Sequence, residues 1–187
     1  MIPPRPTQFA QMVLRESIRP GDTVIDATAG NGHDTVFLAE CVGDKGRVLA
    51  FDLQETAIRA ARLKVADAGM DLRVAFHHTS HARMADHAEA GSISAVMFNL
   101  GYLPGADHEL TTVASETLTA LAAATRLLKS GGVLSVVCYP GHSEGAEETI
   151  QVESWLTALT NHGWRVAKYA MLGTLRPAPC LIVVRKE

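Results

Sequence analysis

Asp26-Ala27-Thr28-Ala29-Gly30-Asn31-Gly32 is the stretch on which the fold of this 187-residue chain turns. The apolar run at 23–25 leads into it as a strand, and the pattern at 33–41 leaves it as a helix. A second apolar run, 48–51, ends in Asp52, twenty residues past Gly32. A glycine-rich turn between strand and helix lets a ligand approach the backbone, and an acid closing the next strand can accept hydrogen bonds from a ribose diol. The spacing points to an adenosine-containing cofactor. Its expected contacts are Asp26, Thr28, Gly30, Asn31 and Gly32 on the turn, with Asp52 and Gln54 after the second strand and Asn99 after the fourth.

Missing features narrow the cofactor. The third glycine of G-x-G-x-x-G lets a helix pack close and aim its N-terminus at a pyrophosphate; Thr35 stands in that position. Asp34 puts negative charge in the helix's first turn, which suits the helix dipole but repels a pyrophosphate. An acid there can instead meet the cationic α-ammonium of S-adenosylmethionine. No G-x-x-x-x-G-K-[ST] loop is present, which disfavours ATP and GTP. S-adenosylmethionine is the expected cofactor. A nicotinamide dinucleotide, and a turn using glycine for geometry alone, are the alternatives.

The chain is long enough for one domain with a sizeable core, expected to span 1–187 with a helical extension at 1–20. No stretch approaches the roughly 20 apolar residues that span a bilayer. The proline-rich start, 1–7, has no apolar segment of a secretory signal. Cys41, Cys138 and Cys180 are scattered and form no C-x-x-C pair, so they read as reduced, packed thiols and point to the cytoplasm. A net charge of −3 argues against broad DNA binding. Neither DNA nor a membrane is expected as a partner, although Arg165, Lys168, Arg176, Arg185 and Lys186 crowd the last stretch.

Strand and helix patterns alternate along the chain. A helix is expected at 7–18, a strand at 23–26, a helix at 33–41, a strand at 47–52 and a helix at 56–68. A strand at 72–77 precedes an irregular, histidine-rich segment. A strand at 95–99 leads through a Gly-Tyr-Leu-Pro-Gly loop to a long helix, 109–128, which Gly131-Gly132 caps before a strand at 133–139. A helix at 147–161 and strands at 164–171 and 180–185 complete the chain. The last two strands leave no room for a crossover helix and must pair antiparallel. The expected fold is α/β: a doubly wound, Rossmann-like, mostly parallel seven-stranded sheet ending in an antiparallel hairpin. That architecture resembles the class I methyltransferases.

Ligands of such sheets sit beyond the carboxyl ends of the strands. Asn99-Leu100-Gly101-Tyr102-Leu103-Pro104 follows the fourth strand, where amine-directed methyltransferases place an Asn/Asp-Pro-Pro-aromatic motif. Asn99 and Tyr102 keep the outer positions, and Leu100-Gly101 replaces the prolines. Asn99 is expected to hold an acceptor amine, with Tyr102 against the substrate and Leu100, Gly101 and Pro104 beside it. Tyr139-Pro140-Gly141-His142 ends the fifth strand, adding Tyr139 to the substrate side and His142 as a group that orients the nucleophile or takes its proton. His77, His78, His81 and His87 lack known zinc spacings, so no metal is expected. His77 is expected to pack at the strand end, while His78, Ser80 and His81 line the adenine side. Trp155 and Trp164 are expected in the core.

These motifs resemble, in the same order, those of a known family. Asp-Ala-Thr-Ala-Gly-Asn-Gly-His-Asp-Thr (26–35), Phe-Asn-Leu-Gly-Tyr-Leu-Pro-Gly (98–105) with Asp107-His108, Leu-Lys-Ser-Gly-Gly (128–132), and Tyr-Pro-Gly-His (139–142) with Gly145 and Glu148 carry the likeness. They look like the small bacterial proteins once labelled rRNA methylases and now assigned as the tRNA 5-aminomethyl-2-thiouridine methyltransferase family. The resemblance covers nearly the full chain. It implies methylation of an exocyclic primary amine on the tRNA wobble uridine, with the anticodon stem-loop as partner. A homodimer is one candidate assembly. Arg176, between Leu175 and Pro177 in the loop joining the last strands, is the expected phosphate contact. An rRNA or small-molecule methyltransferase, and a nucleotide-binding module without catalysis, remain the alternatives.

Overall fold

The computed structural model describes residues 3–101, 114–141 and 143–187. Strands β1 (Thr23–Asp26), β2 (Arg47–Asp52), β3 (Val74–His78), β4 (Ile93–Asn99), β5 (Leu128–Cys138), β6 (Arg165–Ala170) and β7 (Cys180–Arg185) form one sheet in the order β3-β2-β1-β4-β5-β7-β6. The first five are parallel, and β7 runs antiparallel to both β5 and β6. This is the expected class I methyltransferase sheet, including its antiparallel end. The chain leaves β1 towards β2 and later returns to β4 on the other side. The strand order therefore reverses between β1 and β4, where such sheets open a ligand crevice.

Alternation along the buried strands separates two packed layers. Ile25, Leu49, Phe51, Val96, Phe98, Leu134 and Val136 face α4 (Ala114–Leu127) and α5 (Ser143–Ala158), which contribute Leu121, Ala124, Val152 and Leu156. Val24, Val48, Ala95, Met97 and Val137 face α1 (Pro6–Ser17) and α2 (His33–Val42). On that side Ala61 of α3 (Glu55–Asp67) packs with Ala29 and Ala50. Ala10 and Leu14 of α1 are fully buried against the sheet, so the N-terminal helix is part of the core.

Several expected boundaries move. The segment at 72–73 belongs to a 3-10 turn, Asp71–Arg73, with Leu72 fully exposed, and β3 starts after it. The histidine-rich stretch winds into a second 3-10 turn, His81–Asp86. Of the helix expected at 109–128, residues 109–113 lie outside the described residues, and α4 is described from Ala114. Gly131-Gly132 does not cap α4, because β5 begins at Leu128, directly after the helix. The two glycines sit at the irregularity where the β4–β5 register slips between Ile93 and Ala95. Gly131, at φ 74°, donates its N–H to the Lys186 carbonyl, and Gly132 accepts from the Lys186 N–H. The capping itself comes from far along the chain. The Lys186 ammonium donates to the carbonyls of Thr125 and Leu128, and the Gly91 N–H to that of Arg126.

Candidate functional site

The glycine turn hangs from two carboxylates. Asp52, at the end of β2, accepts the Gly30 N–H at 2.9 Å through Oδ2 and the Gln54 N–H at 2.9 Å through Oδ1. Asp52 is half-buried, and each carboxylate oxygen keeps a lone pair beyond these bonds, as a ribose diol would require. Asp26 ends β1 fully buried. Its Oδ2 accepts the Thr35 hydroxyl at 2.6 Å and its Oδ1 the Thr28 N–H at 3.2 Å. Burial foremost, then the nearby Asp34 carboxylate, pushes its carboxyl up to about 7. Asp26 thus braces the turn from beneath and presents no surface to a ligand.

Gly30 and Gly32 take φ of 50° and 78°, and Asn31 between them is exposed. Leu53, 60% exposed beside Asp52, presents an apolar face of the kind an adenine ring could meet, at a position the sequence did not single out. The exposed His78 donates Nε2–H to the Leu53 carbonyl at 2.9 Å and so braces that face from outside. Ser80 donates to Glu116 and accepts the Ala82 N–H, so its hydroxyl serves the start of the 3-10 turn. His81 is buried and donates Nδ1–H to the Ala27 carbonyl at 3.2 Å; burial pulls its ring below the usual histidine range. His77 stacks on Phe51 and meets His87, as a packed strand end would. Among the described residues no group of three or more His, Cys, Asp or Glu side chains could hold a metal.

Asn99 closes β4 across the crevice from the turn. Its backbone N–H donates to Thr28 Oγ1 at 2.8 Å, and its Nδ2 donates to Asp34 Oδ2 at 3.2 Å. The other Asp34 oxygen accepts Gln11 Nε2 at 2.8 Å. Among the described residues, Asn99 Oδ1 is buried without a hydrogen-bond partner. Leu100 turns its side chain into the core, so only its backbone remains for a substrate. Gly101, at φ 144°, lies against Tyr139: a Cβ there would stand 3.4 Å from the ring. Burial, then Asp34, pushes the Tyr139 phenol up, with the neighbouring Asn99 amide pulling the other way. Tyr139 also lines a cleft of 420 Å³ with Pro3, Pro4, Arg5, Met171 and Pro179. Tyr102, Pro104 and His142 lie outside the described residues.

The basic residues near the C-terminus divide. Lys168 pairs with Glu153 at 2.6 Å, Arg165 with Glu187, and Lys186 is spent on the carbonyls that end α4. Arg176 is exposed in the β6–β7 loop, with no carboxylate partner among the described residues. Cys138 and Cys180 face each other across β5 and β7 as buried free thiols. Sequence reasoning missed Gln11 and the buried Thr35–Asp26 bond. A hydroxyl in place of the third glycine was the available signal for the second.

A family model described as "Putative rRNA methylase" matches residues 48–185. A protein from Arabidopsis thaliana, "tRNA (mnm(5)s(2)U34)-methyltransferase, chloroplastic", is 38% identical over 192 residues, spanning 97% of this chain and 69% of that protein. A "Ribosomal RNA small subunit methyltransferase H" from Alteromonas mediterranea is 37% identical over 89 residues, 46% of this chain and 27% of that protein. Among solved structures, a "putative rRNA-methylase" from Clostridium thermocellum superposes with a TM-score of 0.96 at 35% identity, each chain covered in full. A "putative methyltransferase" from Streptococcus mutans, in complex with SAH, gives 0.90 at 31%, again over both full chains. With the turn, the crevice and the strand order all in place, the chain belongs to the methyltransferase family described as "Putative rRNA methylase".

Proposed function

We propose that this chain methylates the 5-aminomethyl group of the wobble 2-thiouridine in the tRNA anticodon loop, with S-adenosylmethionine as donor. The observation that carries the reading is Asn99: its amide N–H is tied to Asp34, and its buried oxygen has no partner among the described residues. An unpaired buried acceptor marks where a donor is missing. A primary amine supplies such a donor and keeps its lone pair for attack. Bound S-adenosylmethionine supplies a methyl carbon activated by its sulfonium, so the protein's task is to position a neutral amine.

The donor set fits that cofactor. Asp52 offers carboxylate lone pairs at the sugar position, Leu53 an apolar face for the base, and the glycine turn a close backbone. Around Asn99, burial disfavours a charged ammonium and so lowers the pKa of an entering amine. Tyr102 and His142 are proposed to wall the amine. The activity for which the Arabidopsis thaliana relative is named supports this acceptor. A chain of net charge −3 suits recognition of a single-stranded loop by shape rather than broad backbone binding.

Mass spectrometry of tRNA nucleosides from cells lacking the protein tests the reading. The unmethylated aminomethyl nucleoside should accumulate and its methylated product disappear, with rescue by the wild-type chain. Asn99→Ala should fail to rescue, while the purified variant binds S-adenosylmethionine with affinity close to wild type by calorimetry. An unchanged nucleoside profile in the deletion would sink the proposed acceptor.

A further inference from the structure

We propose that Gln11 and Asp34 form a positioning relay that locks the Asn99 amide with its oxygen turned to the acceptor. The proposal rests on the reading of Asn99 as the amine-holding residue. The two ends of an asparagine amide are nearly alike in shape, so packing alone does not choose between them. Asp34 does choose. A carboxylate oxygen accepts, so the Asn99 group facing Asp34 Oδ2 at 3.2 Å is the NH2, and Oδ1 is turned away. The flipped amide would set two acceptors against each other and present two donors to an amine that also donates.

Gln11 fixes the carboxylate in turn. Its Nε2 donates to Asp34 Oδ1 at 2.8 Å from α1, a helix seated by the fully buried Ala10 and Leu14. With Oδ1 held by Gln11, Oδ2 is the atom left for Asn99. The Asn99 backbone is held separately by Thr28 Oγ1 at 2.8 Å, so the strand end and the amide orientation are set by different partners. Asp34 is only 9% exposed, and Asn99 Oδ1 is buried without a partner among the described residues. Keeping an acceptor in that state costs stability, a cost that an arriving N–H donor removes. The N-terminal helix therefore reaches the proposed acceptor site through two side chains, Gln11 acting through its bond to Asp34.

Gln11→Ala, Asp34→Asn, Asn99→Ala and the Gln11→Ala/Asn99→Ala double variant test the relay on undermodified tRNA, with S-adenosylmethionine affinity measured alongside. Gln11→Ala and Asp34→Asn should each lower kcat by about tenfold or more, the scale of a misplaced reacting group. Cofactor affinity should stay within about threefold. In the Asn99→Ala background the Gln11→Ala change should cost nothing further, because its effect passes through that amide. Fully additive losses would overturn the relay. So would weakened cofactor binding with kcat preserved in Asp34→Asn, which would assign Asp34 to the methionine ammonium.

A second arm needs no acceptor. The Asn99 side-chain amide protons, followed by 15N NMR, should exchange slowly in the wild-type chain and quickly in Gln11→Ala. If the wild-type chain leaves undermodified tRNA unmethylated, the proposed acceptor fails, and the relay is judged on this signal alone. An amide already in fast exchange, or one insensitive to Gln11, overturns it.

Discussion

Asp26 and Asp52 end adjacent strands, yet one carboxylate is sealed and the other open, and the same substitution should read differently at each. Both Asp52 oxygens already hold the backbone of Gly30 and Gln54. Asp52→Ala should weaken S-adenosylmethionine by about 1–3 kcal/mol, through lost ribose acceptors and a loosened turn together. Asp52→Asn retains one acceptor oxygen and should lose less; calorimetry that finds the two variants equal to wild type would remove Asp52 from the site. Asp26 instead titrates with the fold. Its ordinary value is 3.8, and burial raises it to about 7 in the folded chain. Between those values the folded state binds the extra proton, so this contribution is full below about pH 4 and is lost as pH rises through 7. Asp26→Asn removes that slope. Its stability relative to wild type should improve by roughly 2–4 kcal/mol between pH 4 and pH 8, read from denaturant midpoints at both pH values. A gap independent of pH would mean that Asp26 stays ionised in the fold.

At the scale of elements, Gly32 does the work usually given to the third glycine of a dinucleotide turn. A Cβ on it would stand 2.7 Å from the Ala61 backbone of α3, and its φ of 78° is left-handed. Gly32→Ala should therefore cost about 2–4 kcal/mol, combining backbone strain with overpacking between α2 and α3. Gly69→Ala, at φ 69° but with nothing within 4 Å, should show the strain alone and lose less in thermal unfolding. Equal losses would mean that the α2–α3 approach relaxes freely. The bounds of β1, β2 and β7 were legible because buried strands are apolar runs stopped by a polar residue or a turn. The α4 cap was not legible, since the sequence offered a local Gly-Gly and the fold used Lys186, some sixty residues on. The site divides in the same way. Asp52, Gly30 and Asn99 were visible as residues at strand ends, whereas the bonds joining Gln11, Asp34 and Asn99 span 23 and 65 positions, which no local pattern reports.

Over the whole molecule, the question left by a net charge of −3 is where a polyanion would lie. Eight of the seventeen basic side chains are occupied: Arg15, Arg59, Arg73, Arg83, Lys129, Arg165 and Lys168 pair with carboxylates, and Lys186 ends a helix. Paired surface cations have part of their field cancelled at short range and offer a phosphate less. Arg176 is exposed, without a carboxylate partner among the described residues, and is set apart by its place. Its loop runs beside the end of β5, with the Pro177 carbonyl 3.8 Å from where a Gly141 Cβ would stand, and Ala178 and Pro179 line the cleft that Tyr139 shares. Leu172 and Leu175 on the same loop are almost fully exposed and offer apolar surface to unstacked bases. Proline at 177 and 179 stiffens the backbone that carries the guanidinium. Arg176→Ala should weaken binding of an anticodon stem-loop and reduce the slope of log affinity against log salt by about 0.7, the loss of one single-strand phosphate contact. Cofactor affinity should not change. Lys168→Ala, which frees Glu153 from its pair, should move the slope much less. If the Lys168 variant flattens the slope and the Arg176 variant does not, the RNA follows the exposed edge of β6 instead of the loop above the cleft.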